Sequence, residues 1–204
     1  MLPRNSHLIQ VYIISLLGGC QLAGNSHTHG ESAESEVASM NRVIKSASFG
    51  AIELELLYRS PESLAFQALG QEGSEEALDQ MMAEFSGSVC FLFIMSHMAN
   101  LDLLKGLSSD RSDYEQLTEY VAFQMQGDLW IVQSSDTIPC SAYHWERDYG
   151  LTGSIRVVCA FESVSTEQDF TFIYDDALFG VGQVKFNFLK EDFRNLPKPK
   201  IPRS

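Results

Sequence analysis

No apolar run in this 204-residue chain reaches the roughly 20 residues that carry a helix across a bilayer. Cations are scarce. Lys and Arg together number 14 against 27 Asp and Glu, which leaves a net charge of −13. That imbalance excludes nucleic acid as a partner and works against anionic lipid surfaces, because both repel an acidic protein. It favours solubility and, through the acidic residues, attraction of divalent cations. Common catalytic signatures are missing as well. The chain has no G-x-S-x-G elbow to expose a nucleophile, no H-E-x-x-H helix to hold zinc and no glycine-rich loop to cradle phosphate. Four cysteines are too few for a disulfide-stapled scaffold, so a hydrophobic core has to hold the fold.

What is present begins with an address. Arg4 and the chain amine form a positive region, Leu8–Leu17 is an apolar segment of signal-peptide length, and Leu16-Leu17-Gly18-Gly19-Cys20 closes it. This stretch resembles the signal sequence of bacterial lipoproteins, whose lipobox ends in a cysteine that is lipidated on its thiol and freed by cleavage just before it. The resemblance implies lipidation of Cys20, tethering to a membrane through that lipid, and residence in the bacterial cell envelope at the outer membrane. Residues 1–19 are then the signal peptide, and residues 20–40 the lipidated cysteine with a tether rich in Gly, Ser, Asn, His and Glu. Such a coil spans roughly 25 Å. His27 and His29 form an H-x-H pair within it, but with no third ligand fixed nearby they read as polar filler. Residues 41–196 form a single globular domain, and residues 197–204, with Pro197, Pro199 and Pro202, an extended tail.

Within the domain, Ile52, Leu54 and Leu56 alternate with Glu53 and Glu55 as in a half-buried strand. Ser60 and Pro61 open a helix that Gly70 stops, and Ala77, Met81 and Phe85 mark a second helix closed by Gly87. Ser88–Met95 is continuously apolar, as a central strand buried on both faces would be. A polar loop and a short helix opened by a Ser112-x-x-Glu115 capping box follow. From there the pattern predicts strands only: Tyr120–Gln126 and Leu129–Ser135 around a Gly127-Asp128 hairpin turn, then Ser141–Asp148, Ser154–Glu162, Asp169–Tyr174 and Gln183–Leu189. The fold class is α+β and mainly antiparallel β, with a sandwich-like sheet in the C-terminal half and two or three short helices in the N-terminal half.

Chemistry concentrates in Cys140–Tyr149. As a strand, this segment places Tyr143, Trp145, Arg147 and Tyr149 on one face and Ala142, His144, Glu146 and Asp148 on the other. The first face is either a ring cover for the sheet with Arg147 packed across it, or an aromatic binding surface for a protein or glycan. On the second, His144 with Glu146 or Asp148 supplies a general base and its orienting acid. Cys140 with His144 would be a thiol and its base, or two metal ligands. Beyond Cys20 three cysteines remain. Either Cys140 pairs with Cys159 across the Gly150–Gly153 turn, or Cys90, Cys140 and Cys159 are buried thiols.

The later half also resembles uncharacterised bacterial lipoproteins whose mature part is a small β-rich domain, through Ile138-Pro139-Cys140, Tyr143-His144-Trp145-Glu146-Arg147, Tyr149-Gly150-Leu151 and Tyr174-Asp175-Asp176. No activity follows from that likeness. The functional expectation is a membrane-tethered, exported domain that binds a ligand or supports an envelope assembly, without cofactor and without catalysis. Two alternatives accompany it: an envelope hydrolase built on His144 with a neighbouring carboxylate, and a divalent-metal-binding module.

Overall fold

A hairpin starts the described chain. Strands β1 (Ile44–Phe49) and β2 (Ile52–Arg59) pair antiparallel from Phe49 opposite Ile52 to Ile44 opposite Leu57. Gly50, at φ 61°, makes the two-residue turn, a conformation that costs glycine nothing and other residues about 1 kcal/mol or more. The alternation rule finds β2 and misses β1, an edge strand whose sequence Ile44-Lys45-Ser46-Ala47-Ser48-Phe49 sets no large apolar residues against polar ones with period two. The computed structural model describes residues 43–69, 74–85, 87–147, 153–194 and 196. The expectations for the leader, Cys20, the tether with His27 and His29, and the tail lie outside them.

Helix α1 (Pro61–Leu69) follows at once. The Ser60 hydroxyl accepts from the Ser63 amide at 3.1 Å, which confirms the cap expected there. Helix α2 (Glu75–Phe85) is capped likewise, the Ala77 amide donating to Ser74 Oγ at 3.2 Å. Strand β3 (Ser88–His97) then runs through the middle of a five-stranded sheet ordered β1-β2-β3-β7-β6, with β6 at Ala142–Glu146 and β7 at Ile155–Glu162, as its unbroken apolar run demands.

Two short helices, α3 (Leu103–Leu107) and α4 (Arg111–Glu119), occupy the region expected to hold a loop and one helix. The cap of α4 is Asp110 rather than Ser112. Its carboxylate accepts from the Asp113 amide at 3.0 Å, and Ser112 lies inside the first turn. Asp caps as well as Ser does, so the earlier of two competing caps won.

The largest correction concerns Tyr120–Gln126, expected as a strand. The chain stays helical instead, widening into a π turn at Tyr120–Gln124 and tightening into a 3₁₀ turn at Met125–Asp128. Val121 and Met125, four apart, are fully buried while Phe123 is 77% exposed. Burial at helical spacing overrode the β preference of Tyr, Val and Phe. The expected Gly127-Asp128 hairpin is therefore absent, and the first strand of the second sheet is β4 (Leu129–Gln133).

The remaining strands are β5 (Asp136–Pro139), β6 (Ala142–Glu146), β7 (Ile155–Glu162), β8 (Phe170–Asp175) and β9 (Gln183–Phe188). β6 and β7 complete the five-stranded sheet, and β5-β4-β8-β9 make a second, four-stranded one. All the pairings are antiparallel. The protein is thus an α+β fold of two antiparallel sheets, and the sandwich draws on β1–β3 as well as on the later strands.

Between the sheets lies an aromatic core. Phe91 packs edge-on to Phe172 at 5.6 Å and to Tyr58 at 5.8 Å, and tilts against Phe188 at 5.2 Å. A closing helix α5 (Lys190–Arg194) adds Phe193, stacked on Phe170 at 5.6 Å. The other side of the five-stranded sheet carries α1 and α2. There Leu64, Ala65 and Phe85 meet Leu57, Cys90, Leu92, Ala142, Val158 and Ala160, with Leu78, Met81 and Met82 at the margin.

Candidate functional site

Strand register decides which side each residue of β6 serves. Tyr143 lies opposite Cys159, and Trp145 opposite Val157, so both extend the inner rows that include Phe91 and Phe93. His144 lies opposite Val158, and Glu146 opposite Arg156, on the helix side. The expected division of the strand into two faces holds for these residues. Asp148 and Tyr149 lie outside the described residues.

The inner residues do different jobs. Tyr143 packs against the core and its hydroxyl donates to the Val121 carbonyl at 2.5 Å, tying β6 to the π turn. Trp145 is half-buried, and the Arg147 guanidinium stacks over its indole at 4.6 Å from the ring centroid. Beside them opens a cleft of about 330 Å³ lined by Asp102, Leu104, Lys105, Tyr114, Thr118, Gly153, Ser154 and Ile155 as well. Three parts of the chain converge on it: α3, α4 and the two facing ends of β6 and β7.

Each wall of the cleft has a local cause. Asp102 caps α3, accepting from the Lys105 amide at 3.0 Å, and its other oxygen pairs with Lys105 Nζ at 3.2 Å. Gly153 lets α3 approach β7. At φ 66° it accepts a hydrogen bond from the Leu103 amide at 3.0 Å, and a Cβ there would stand 3.0 Å from Asp102 Cα. Thr118, on the α4 side, has a hydroxyl sealed from solvent with no hydrogen-bond partner in the described residues. A buried hydroxyl left in that state costs about 1–3 kcal/mol.

The helix-side residues do not assemble an acid–base pair with a nucleophile. Glu146 commits its carboxylate to Arg156, Nε to Oε2 at 3.2 Å. Burial lowers the His144 imidazole below its usual value, against the pull of Glu146. Cys140 packs in the core between the sheets, its thiol donating to the Ala142 carbonyl at 3.1 Å, whereas His144 is on the other side of the sheet. The Cys140–Cys159 disulfide is not formed. Cys90, Cys140 and Cys159 are all free and buried. Burial pushes the Cys90 and Cys140 thiols up to about 12, which leaves them protonated and unreactive at neutral pH.

A second polar corner gathers around Tyr174-Asp175-Asp176. Asp176 accepts from the Tyr174 hydroxyl at 2.8 Å and from the backbone amides of Leu178, Phe179 and Val181 at 2.8–3.0 Å. Burial alone would raise its carboxyl, but those bonds together hold it below the usual value. Asp128, which accepts from the Tyr120 hydroxyl, is raised by burial and by the charges of Asp175 and Asp176. The corner shapes a loop. Among the described residues no group of three His, Cys, Asp or Glu is arranged to hold a metal ion.

Sequence reasoning singled out Trp145 and Arg147 and missed Asp102, Leu104, Lys105, Tyr114, Thr118 and Gly153. The missed residues lie 27 or more positions from Trp145 or across a turn from it, so only the tertiary fold brings them together. Comparison with known proteins adds no identification. No family model and no curated protein matches the chain. A crystal structure of a protein of unknown function from Burkholderia pseudomallei aligns over 74% of this chain and 81% of that one, at 9% identity and a TM-score of 0.34, a likeness too slight to argue from.

Proposed function

We propose that the protein is a lipid-anchored ligand-binding domain of the bacterial envelope, held at the outer membrane through Cys20, with its binding site in the cleft beside Trp145 and Arg147. The observation that carries this reading is that cleft. It joins an aromatic ring, a cation without a carboxylate partner among the described residues, and a buried apolar floor of Leu104 and Ile155. A mostly apolar recess with a few convergent polar groups is what small-molecule sites have in common. On the helix side of β6 Glu146 is committed to Arg156 rather than to His144, which favours binding over hydrolysis.

Two experiments test the two halves of the proposal. Cys20→Ser moves the protein from the membrane pellet to the soluble fraction, since each acyl CH₂ of the lost anchor contributed about 0.8 kcal/mol; a variant still in the pellet overturns the anchor. For binding, the detergent-solubilised full chain is screened by thermal shift against neutral sugars, short peptides, organic acids and amines. At least one class raises the melting temperature, and Trp145→Ala removes that rise. A screen without any rise, or a rise that Trp145→Ala leaves intact, overturns the site. Hydrolytic turnover abolished by His144→Ala would replace the binding reading with the enzymatic one.

A further inference from the structure

Resting on that reading, we infer that the cleft takes a small monocarboxylate with a compact apolar body, its carboxylate on Arg147 and its body against Leu104, Ile155 and the Tyr114 and Trp145 rings.

The charge argument comes from how the cations of the domain are spent. Lys45, Lys105, Arg111, Arg156 and Arg194 each sit within 4 Å of a carboxylate. Arg59, Arg147, Lys185 and Lys190 have no such partner among the described residues, and of these four Arg147 is the one in the cleft wall, resting on Trp145. Stacking uses the face of a guanidinium and leaves its edge, where the N–H groups lie, free to bind a carboxylate in plane with two parallel hydrogen bonds. The indole also fixes the group in place, which lowers the ordering cost of that contact.

Valence follows from the same ledger of charges. Lys105 is already paired with Asp102 at 3.2 Å, so among the described residues the walls carry one uncompensated positive charge, in a chain whose net charge is −13. A single negative charge matches that wall, while a dianion such as a phosphate monoester brings a second charge with nothing to meet it and is repelled by the surrounding acidic surface. Size and polarity set the rest. About 330 Å³ is near the lower end for small-molecule sites, and Leu104 and Ile155 present carbon to the ligand.

The test is calorimetric titration of the detergent-solubilised full chain with 3-phenylpropionate, its amide, phenethylamine and phenyl phosphate. The carboxylate binds, and the amide and the amine bind at least about tenfold more weakly, the usual worth of one charge-assisted pair. Arg147→Gln weakens the carboxylate by at least about tenfold at an unchanged melting temperature, and Arg147→Lys recovers part of that loss. Equal affinity for the amide, preference for the phosphate, no binding of the carboxylate, or indifference to Arg147→Gln overturns the inference. Binding of the amide or the amine that Trp145→Ala abolishes rejects the carboxylate and leaves the binding site standing. Failure of every compound in the wider thermal-shift screen removes both.

Discussion

The two sides of the five-stranded sheet are packed by different means. On the inner side, the row Tyr58–Phe91–Cys159–Tyr143 and the row Leu56–Phe93–Val157–Trp145 meet the rings of Phe170, Phe172, Tyr174, Phe186 and Phe188. On the outer side, the aliphatic row Leu57–Leu92–Val158–His144 and the smaller side chains of Cys90, Ala160 and Ala142 lie under α1 and α2, and the row Glu55–Ile94–Arg156–Glu146 is largely polar. Large interlocking rings need a fixed partner surface and leave little room to relax. Aliphatic and small side chains without interlocking rings, beneath helices of 9 and 11 residues, leave a cover that can shift when an atom is lost. Stability therefore resides mainly in the inner layer, and the cleft lies where that layer ends.

Neighbouring residues of β3 give the sharpest contrast, because they share a backbone and serve opposite sides of the sheet. Phe91→Ala removes a fully buried ring with neighbours on both sheets, and should cost about 3–5 kcal/mol. Leu92→Ala, on the helix side, should cost about 2–3 kcal/mol, the low end for its type, because α1 and α2 can settle onto the gap. Urea unfolding of both variants decides. Equal losses would break the distinction between the layers.

Trp145→Ala comes next, at about 2 kcal/mol. The ring packs against the core but remains half exposed in the cleft wall, so its loss falls between that of a core residue and that of a surface platform. Melting temperature and ligand titration read the two roles separately. A loss as large as that of Phe91 would make Trp145 a core residue and nothing more.

Much of this layering was legible in the sequence. Ser154–Glu162 is expected as a strand, and along it the alternate residues Ile155, Val157, Cys159 and Phe161 are all at most 1% exposed. The unbroken run of β3 placed it centrally, and the Ser60-Pro61 pair located α1. Misreadings arose where local preference and tertiary burial disagree. Tyr120–Gln126 has the composition of a strand, and only the docking of Val121 and Met125 into the core shows that it continues a helix. The cleft was half visible for a similar reason. Trp145 and Arg147 are two residues apart on one strand face, a relation that period-2 reading captures. Thr118 and Gly153 reach the same place through the fold, and no spacing rule connects them.

At the end of the inner layer, burial raises both Asp128 and Asp176, yet hydrogen bonding leaves the two shifted in opposite directions. Asp176 has four donors and is held low; Asp128 has the Tyr120 hydroxyl alone and is held high. In the native state Asp128 takes up a proton more readily than in the unfolded chain. Its charged form thus weakens the fold at neutral pH, and this penalty fades as pH falls through its raised value. Asp128→Asn keeps an acceptor for Tyr120 and removes the charge. The variant should be slightly more stable than the parent at pH 7, with the gain shrinking towards pH 4, as read from urea midpoints. A loss of stability at pH 7 would mean that the Tyr120 bond needs the full carboxylate.

The smallest effect belongs to His144, and its sign is the informative part. Burial on the helix side lowers the imidazole below the ordinary 6.5, so the native state resists a proton that the unfolded chain accepts. Above pH 6.5 both states are neutral and no linkage exists. As pH falls through the unfolded value the unfolded chain gains the proton first, and the parent loses stability relative to a chain with no imidazole at position 144. His144→Ala should therefore match the parent within about 0.5 kcal/mol at pH 8, and gain on it at pH 5. Taking the difference between variant and parent cancels the other histidines. A variant that instead falls further behind at pH 5 would show His144 charged and paired in the native state, with Glu146 turned from Arg156 towards it, and the helix side of β6 would then hold the acid–base pair that Arg156 now prevents.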